Sequence, residues 1–289
     1  MTDLPPLGPL FARAIATATA KRDASEPAPP TERAASAVGV VIDADRLRRY
    51  QQVCQLRVSD VLPPTYLHAL AFPLALQRML MPDFPFAVIG LVHLGNRITH
   101  YRQVRPRERV GIDVRAANLR EHRAGQVIDL VTDVRVGDEL VWRETSSYLR
   151  RRAEGAARPS GTRPSGAPSA ADPLARAALA RWRAPRGIGR RYAAVAGDAN
   201  PIHLAALLAR GFGFKRAIAH GMWLHARTLA AFEGRLPDAL SLDVAFKAPV
   251  SLPATVELRS AFQPGGGWLL DVRDPRSGRP HLTGRFDPL

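Results

Sequence analysis

Apolar and polar residues along the chain follow two successive patterns, each an apolar helix followed by alternating strands. Residues Tyr66 to Met81 are apolar on nearly every side, which predicts a deeply buried helix with a kink at Pro73. Three period-two runs come after it and predict strands with one buried face, at Val110 to Ala116, Ile128 to Val136 and Leu140 to Leu149.

The second half repeats this order. A helix is predicted from Gly221 to Phe232, and strands are predicted at Leu242 to Phe246, Thr255 to Phe262 and Trp268 to Val272. Adding 146 to the residue number places Ile98 on Val244 and Val110 on Val256, both apolar matches. The pattern indicates a duplicated unit of the α+β class, in which a curved antiparallel sheet wraps a long apolar helix.

Two segments have too few large apolar residues to bury a core and are predicted to be mobile, Lys21 to Ser36 and Arg152 to Asp172. The second contains a repeated Arg-Pro-Ser-Gly sequence near the middle of the chain. The predicted organisation is a partly disordered segment (1–40), a first domain (41–151), a flexible linker (152–172) and a second domain (173–289).

The net charge is +15, from 41 Lys and Arg against 26 Asp and Glu. Such a surface suits nucleic acid or a phosphate-bearing or acidic substrate carrier, or it reflects a base-biased genome with arginines spread over solvated faces. Nucleic acid is disfavoured, because aromatic residues are only 7% and do not interleave with the arginines.

Cys54 is the single cysteine, which excludes an internal disulfide and fits a reducing cytosol. Prolines interrupt the charge-free stretch at 61–77, so no membrane span is expected, and the opening Met1-Thr2-Asp3 does not resemble an export signal. The chain has no glycine-rich nucleotide loop, no nucleophile elbow and no His-Glu-x-x-His, so we expect no cofactor.

The densest group of titratable residues is Gly197-Asp198-Ala199-Asn200-Pro201-Ile202-His203. Asn200 followed by Pro201 is typical of a helix start. Asp198 and His203 flank this turn, where they are predicted to converge on one water molecule as an acid/base pair. The alternatives are a helix-start carboxylate and an ordinary surface or core histidine.

A second group, Ile218-Ala219-His220-Gly221-Met222, stands where the second buried helix is predicted to begin. A helix start with Gly221 offers free amides that stabilise negative charge on a substrate oxygen. The alternative is that the glycine only permits close packing against the sheet. His220 and His225 are five residues apart and do not share a helix face, so no metal site is predicted.

These motifs, with Phe246-Lys247-Ala248-Pro249-Val250, resemble the MaoC-like dehydratases, or hydratase 2 enzymes, of the hot-dog fold. The resemblance implies a double hot-dog that reversibly hydrates trans-2-enoyl thioesters to (R)-3-hydroxyacyl thioesters. It implies that Asp198 and His203 activate or release the water, and that Asn200, His220 and Gly221 bind the substrate or its oxyanion. Ala196, and Leu204-Ala205 after the histidine, depart from the family pattern.

The first half resembles the non-catalytic domain of two-domain members at Leu62 to Tyr66 and at Gly95-Asn96-Arg97. Tyr66-Leu67-His68-Ala69-Leu70 is a copy of the second helix start with alanine in place of glycine, so one active site per chain is expected. The expected partner is an acyl thioester of coenzyme A or of acyl carrier protein, and a homodimer is left open. The alternatives are a thioesterase of the same fold and a catalytically silent acyl-binding or scaffolding subunit.

Overall fold

The computed structural model describes residues 4–18, 29–152, 174, 178–210 and 214–289. The helices are α1 (Leu7–Ala16), α2 (Ala44–Cys54), α3 (Tyr66–Met79), α4 (Ile188–Ala196), α5 (Pro201–Leu204), α6 (Ala206–Arg210) and α7 (Gly221–Leu229), and α7 continues as a 3₁₀ turn (Ala230–Phe232). The strands are β1 (Ala34–Val40), β2 (Val92–His100), β3 (Val110–His122), β4 (Gly125–Val136), β5 (Glu139–Arg151), β6 (Ala180–Ala184), β7 (Leu240–Phe246), β8 (Ala254–Phe262), β9 (Trp268–Arg273) and β10 (Pro280–Pro288).

All ten strands form one sheet in the order β1-β3-β4-β5-β2-β7-β10-β9-β8-β6. Read outward from the centre, the two halves have the same arrangement, with β2 in the first half equivalent to β7 in the second. The halves join where β2 and β7 pair antiparallel, from Gly95 opposite Ala245 to His100 opposite Leu240. The predicted duplication is confirmed, and the fold is a double hot-dog of the α+β class.

The two buried helices and six of the strands lie where the sequence predicts them. The first predicted helix is α3, which continues past Pro73, and the second is α7 with its 3₁₀ turn. Strands β1, β2, β6 and β10 were not predicted. None of the helices within the described residues has both the length and the apolar character needed to cross a membrane.

The predicted mobility of Lys21 to Ser36 is wrong at its C-terminal end. Residues from Ala34 onward form β1, and Ala35 is buried where it pairs with Val114 of β3. Alanine side chains suffice here because the sheet packs closely on α3, so the first half begins before residue 41. Residues 19–28 and 153–173 lie outside the described part of the chain, and the linker stays a prediction.

Arg46 of α2 compensates for the proline inside α3. Pro73 has no amide hydrogen, so the carbonyl of Ala69 has no partner in its own helix. Arg46 Nη2 donates to that carbonyl at 2.9 Å, and Arg46 Nε donates at 2.9 Å to the carbonyl of Val195 in the last turn of α4. One guanidinium therefore links α2, α3 and α4, and it does so in the last turn of α4, just before Asp198 in the sequence.

We expect Arg46→Met to lower the free energy of unfolding by about 2 kcal/mol, because two partly buried carbonyls lose a charged donor. In a Pro73→Ala background the loss should be about 1 kcal/mol smaller, since the new amide of residue 73 bonds to Ala69. Urea titration measures both values, and Arg48→Met, an exposed arginine on the same helix, is the control. An equal loss in both backgrounds would show that Arg46 does not replace the missing bond.

Candidate active site

The turn after α4 holds one acidic side chain, Asp198, and one amide side chain, Asn200, in a fixed arrangement. Gly197 ends the helix in the left-handed region at φ 87°, and a Cβ there would lie 2.7 Å from a methyl carbon of Leu7. The Asp198 carboxylate then accepts from the amide of Asn200 at 3.1 Å, and the Asn200 side chain caps α5 by accepting from Ile202 at 3.4 Å. These local bonds direct Asp198 and the following helix toward the same side of the turn.

Asp198, His203 and His220 come together in space. One side-chain ligand atom of each lies within 4.8 Å of the others. His203 Nδ1 donates to the carbonyl of Ile218 at 2.9 Å. Because a carbonyl only accepts, Nδ1 carries the proton and Nε2 of the neutral ring is an acceptor. Burial lowers the pKa of His203, although the charge of Asp198 opposes the shift. The histidine is therefore neutral near pH 7.

His220 contacts the protein's own turn. Its Nε2 donates to the backbone carbonyl of Asp198 at 2.9 Å and lies 3.8 Å from carboxylate Oδ2, and its ring stacks on His203 with 3.7 Å between centroids. Burial lowers the pKa of His220 to about 3, and His203 shifts it in the same direction. His220 therefore joins the start of α7 to the Asp198 turn as a neutral donor. A contact between His220 and substrate stays a prediction.

The same three side chains are the one group within the described residues that offers three potential metal ligands. The sequence analysis considered His220 and His225 as a pair for a metal site, whereas the structure places His203 next to His220. Nδ1 of His203 and Nε2 of His220 each donate to a backbone carbonyl at 2.9 Å, so only one nitrogen of each ring remains for another partner. The arrangement suits hydrogen bonding to water better than it suits metal coordination.

Gly221 begins α7, so its amide has no acceptor within the helix. The ring of Phe246 covers its Cα, and a Cβ at this position would lie 2.9 Å from a ring carbon. The close-packing explanation for the glycine is thus correct, and Gly221 also lines the cavity described below. The two explanations are compatible, and a role for its amide in binding an oxyanion stays a prediction.

A cavity of about 690 Å³ lies between the two halves of the chain. Asp198, Asn200, His203, His220 and Gly221 line one side of it. Phe72, Leu76 and Met79 of α3 also line the cavity, so the first half supplies part of its apolar wall. A space of this size between two units is typical of a small-molecule site.

The sequence analysis missed a polar cluster on the first-half wall. His68 Nδ1 donates to both carboxylate oxygens of Glu144, at 2.9 and 3.0 Å, and Asn96 Nδ2 donates to the same carboxylate at 2.5 Å. A signal for it existed, since Glu144 is in phase with the inward-facing Trp142 and Ser146 of β5. An acid at an inward strand position requires a partner.

Comparisons with known proteins agree with this arrangement. A family model described as the MaoC like domain matches residues 186–264. The chain is 42% identical over 242 residues to the 3-hydroxyacyl-thioester dehydratase X of Mycobacterium tuberculosis, covering 84% of each protein. A crystal structure of HtdX from that organism matches with a TM-score of 0.77 and 39% identity, over 89% of this chain and 100% of the other. A MaoC-like dehydratase from Phytophthora capsici shares the fold, with a TM-score of 0.69 and 17% identity over 90% and 95% of the chains.

The fold and the polar turn define a hot-dog protein of the dehydratase type. Identity of 42% across most of both chains makes the relationship specific, and the chain belongs to the MaoC-like dehydratase family of hydro-lyases. The resemblance predicted from the sequence motifs is confirmed.

His225 of α7 gives a test of the buried histidines that does not depend on activity. Its ring is fully buried, and neither nitrogen has a hydrogen-bond partner within the described residues. Burial, and secondarily the charge of His68, lowers its pKa to about 3 from a usual 6.5. Between these values the unfolded chain binds a proton that the folded chain does not, so stability falls as pH falls.

We expect His225→Leu to remove up to about 1.4 kcal/mol per pH unit from the decline in unfolding free energy below pH 6.5. Urea titrations at pH 7, 5.5 and 4.5 measure the slope. His122→Gln, at the β3–β4 hairpin, is the control and should keep the wild-type slope. A His225→Leu variant with an unchanged slope would contradict a neutral buried His225.

Proposed function

We propose that this protein adds water to trans-2-enoyl thioesters to form (R)-3-hydroxyacyl thioesters, and catalyses the reverse dehydration, in fatty acid metabolism. One observation carries the proposal: a carboxylate oxygen of Asp198 and a ring nitrogen of His203 lie within 4.8 Å of each other at a cavity that Gly221 also lines. A relative named for 3-hydroxyacyl-thioester dehydration supports it.

In hydration, the water is held between Asp198 and His203. Its oxygen forms the bond to Cβ while one of its protons passes to the pair, with His203 Nε2 as the acceptor that the Ile218 hydrogen bond leaves available. A proton from the pair then goes to Cα, which returns the two residues to their initial protonation. Because both residues approach from one side, the two additions occur on the same face of the double bond.

The thioester carbonyl gains negative charge as the bond to Cβ forms. The Gly221 amide and the positive end of the α7 dipole stabilise that oxygen when it lies at the helix start. Asn200 holds the turn by capping α5. The reaction requires only groups that this chain supplies.

In this proposal the second domain (173–289) carries the chemistry and the first domain (41–151) supplies the wall for the acyl chain, with 152–172 as a linker. The carrier is coenzyme A or acyl carrier protein, either of which suits a net charge of +15 because both are anionic. A cytoplasmic location and a homodimer stay predictions.

We expect Asp198→Asn and His203→Gln each to lower kcat by about a thousandfold, because the loss of either group removes general acid–base catalysis. The loss of enoyl absorbance from crotonyl and longer trans-2-enoyl thioesters measures turnover, and chiral analysis identifies the alcohol. His122→Gln and Asp45→Asn, remote from the cavity, are matched controls and should keep wild-type rates.

Two outcomes would overturn the proposal. Formation of the (S) alcohol would contradict the stereochemistry, and no turnover of any chain length on either carrier would favour the silent acyl-binding subunit. If no turnover is found, calorimetry with a saturated acyl thioester tests for the silent subunit, which would bind this ligand although it forms no product.

Gly221→Ala should lower kcat/KM by about ten- to a hundredfold, because the added Cβ meets the Phe246 ring and displaces the amide. Adding Phe246→Leu makes room for the methyl group, so the double variant should recover part of the loss. Phe246→Leu alone is the reference. If the double variant loses as much kcat/KM as the two single variants combined, the contact with Phe246 does not explain why residue 221 is a glycine.

A further inference from the structure

The polar cluster of the first half lies on the wall of the same cavity as the proposed catalytic pair. His68 is in the first turn of α3 and lines the cavity, and its side chain is 11% exposed. Glu144 lies behind it with only 3% of its side chain exposed. Asn96 donates to Glu144 and also, at 3.0 Å, to the hydroxyl of Ser146. The cluster is built into the wall rather than lying on the surface.

His68 and His220 both stand at the start of the buried helix of their half, His68 as the third residue of α3 and His220 as the cap residue before α7. The two halves share one strand order around the β2–β7 pair. Their surroundings differ in charge. His220 is a neutral donor to a backbone carbonyl, whereas His68 forms an ion pair with a carboxylate.

Nδ1 of His68 contacts both oxygens of the Glu144 carboxylate, and this pairing favours the charged imidazolium form. Burial opposes the charge, but the Glu144 carboxylate raises the pKa of His68 despite it. The adjacent His93, with 6.1 Å between ring centroids, is neutral because burial and the charge of His68 lower its pKa well below the usual value. His68 Nδ1 is used by Glu144, so Nε2 is the remaining charged donor, and no described residue accepts from it.

A charged N–H on a side chain that is only 11% exposed is costly unless it has an acceptor. In the proposed function, Asp198 and His203 of the second half act on the two reacting carbons, and Gly221 binds the thioester oxygen. The part of a substrate that faces His68 therefore lies outside these reacting atoms, and its complement is an oxygen that accepts a hydrogen bond.

We propose that His68, supported by Glu144, is a substrate-binding residue that donates a hydrogen bond through Nε2 to an oxygen of the thioester beyond its reacting carbons. That oxygen is either an amide oxygen of the pantetheine arm or an oxygen borne by the acyl chain. The inference rests on the proposed function for the identity of the thioester. It assigns to the first half a recognition role in addition to its apolar wall.

Two pairs of non-reacting ligands distinguish the sources of this oxygen, with affinities measured by calorimetry. The acyl pair is 5-oxohexanoyl-CoA and hexanoyl-CoA. The carrier pair is hexanoyl-pantetheine and its analogue in which the amide nearest the sulfur is replaced by two methylenes. We expect the wild type to prefer the oxygen-bearing member of one pair by about tenfold or more, as a hydrogen bond from a charged donor contributes.

The variant His68→Leu/Glu144→Leu removes the donor and the carboxylate together, so no buried charge is left without a partner. It should lose the preference, with an affinity ratio within about twofold of one. Glu144→Gln keeps the imidazole but removes its counter-charge and should reduce the preference, which provides a second test if the double variant does not fold. His122→Gln, which lies outside the cavity lining, is the control and should keep the wild-type preference.

A wild type without preference in either pair, or a folded double variant that keeps the wild-type preference, would overturn the role of His68. Failure of the proposed function has a different signature, namely wild-type protein that binds these ligands with the His68-dependent preference but does not hydrate crotonyl-CoA.

Discussion

The antiparallel pairing of β2 with β7 is the interaction on which the site depends. It fuses two curved sheets into one and brings the starts of both buried helices to a single cavity. Gly95 permits the close approach, because a Cβ there would lie 3.0 Å from the Val244 carbonyl oxygen. Arg97 and Asp243 also pair across this junction, but both are exposed and contribute little. Backbone hydrogen bonds and the buried Ile98 and Leu242 hold the halves together.

Identical architecture in the two halves yields different chemistry because their carboxylates are bonded differently. Glu144 receives hydrogen bonds from His68 and Asn96, and its side chain is only 3% exposed, so it is closed off from a water in the cavity. In the second half, one oxygen of Asp198 accepts a single backbone amide, and the side chain remains 29% exposed. Among the described residues that line the cavity, the second half therefore combines an accessible carboxylate with a neutral imidazole, which accounts for one proposed active site in a duplicated chain.

Sequence patterns predicted the parts of the structure that depend on residues close to one another in the sequence. Runs with one buried face identify their strands by alternation, and the turn around Asp198 is built from caps and bends a few residues apart. Strand β2 was not predicted, because its buried positions include Asn96 and His100 and so break the apolar alternation. The His68–Glu144 pair joins residues 76 apart, and only the packing of α3 against the sheet brings them together. The alternation along β5 indicates that Glu144 faces inward, but it does not identify His68 as its partner.

The same desolvation that makes the site work also limits its stability. His203 is an acceptor near neutral pH because burial disfavours its charged form, and its Nδ1 bond to Ile218 leaves the other nitrogen at the cavity. His220 and His225 are kept neutral by the same cause. Each buried neutral imidazole favours the unfolded chain once that chain gains a proton in acid. In the proposed function, the polar groups required for proton transfer are thus retained at a cost to stability that an all-apolar core would not carry.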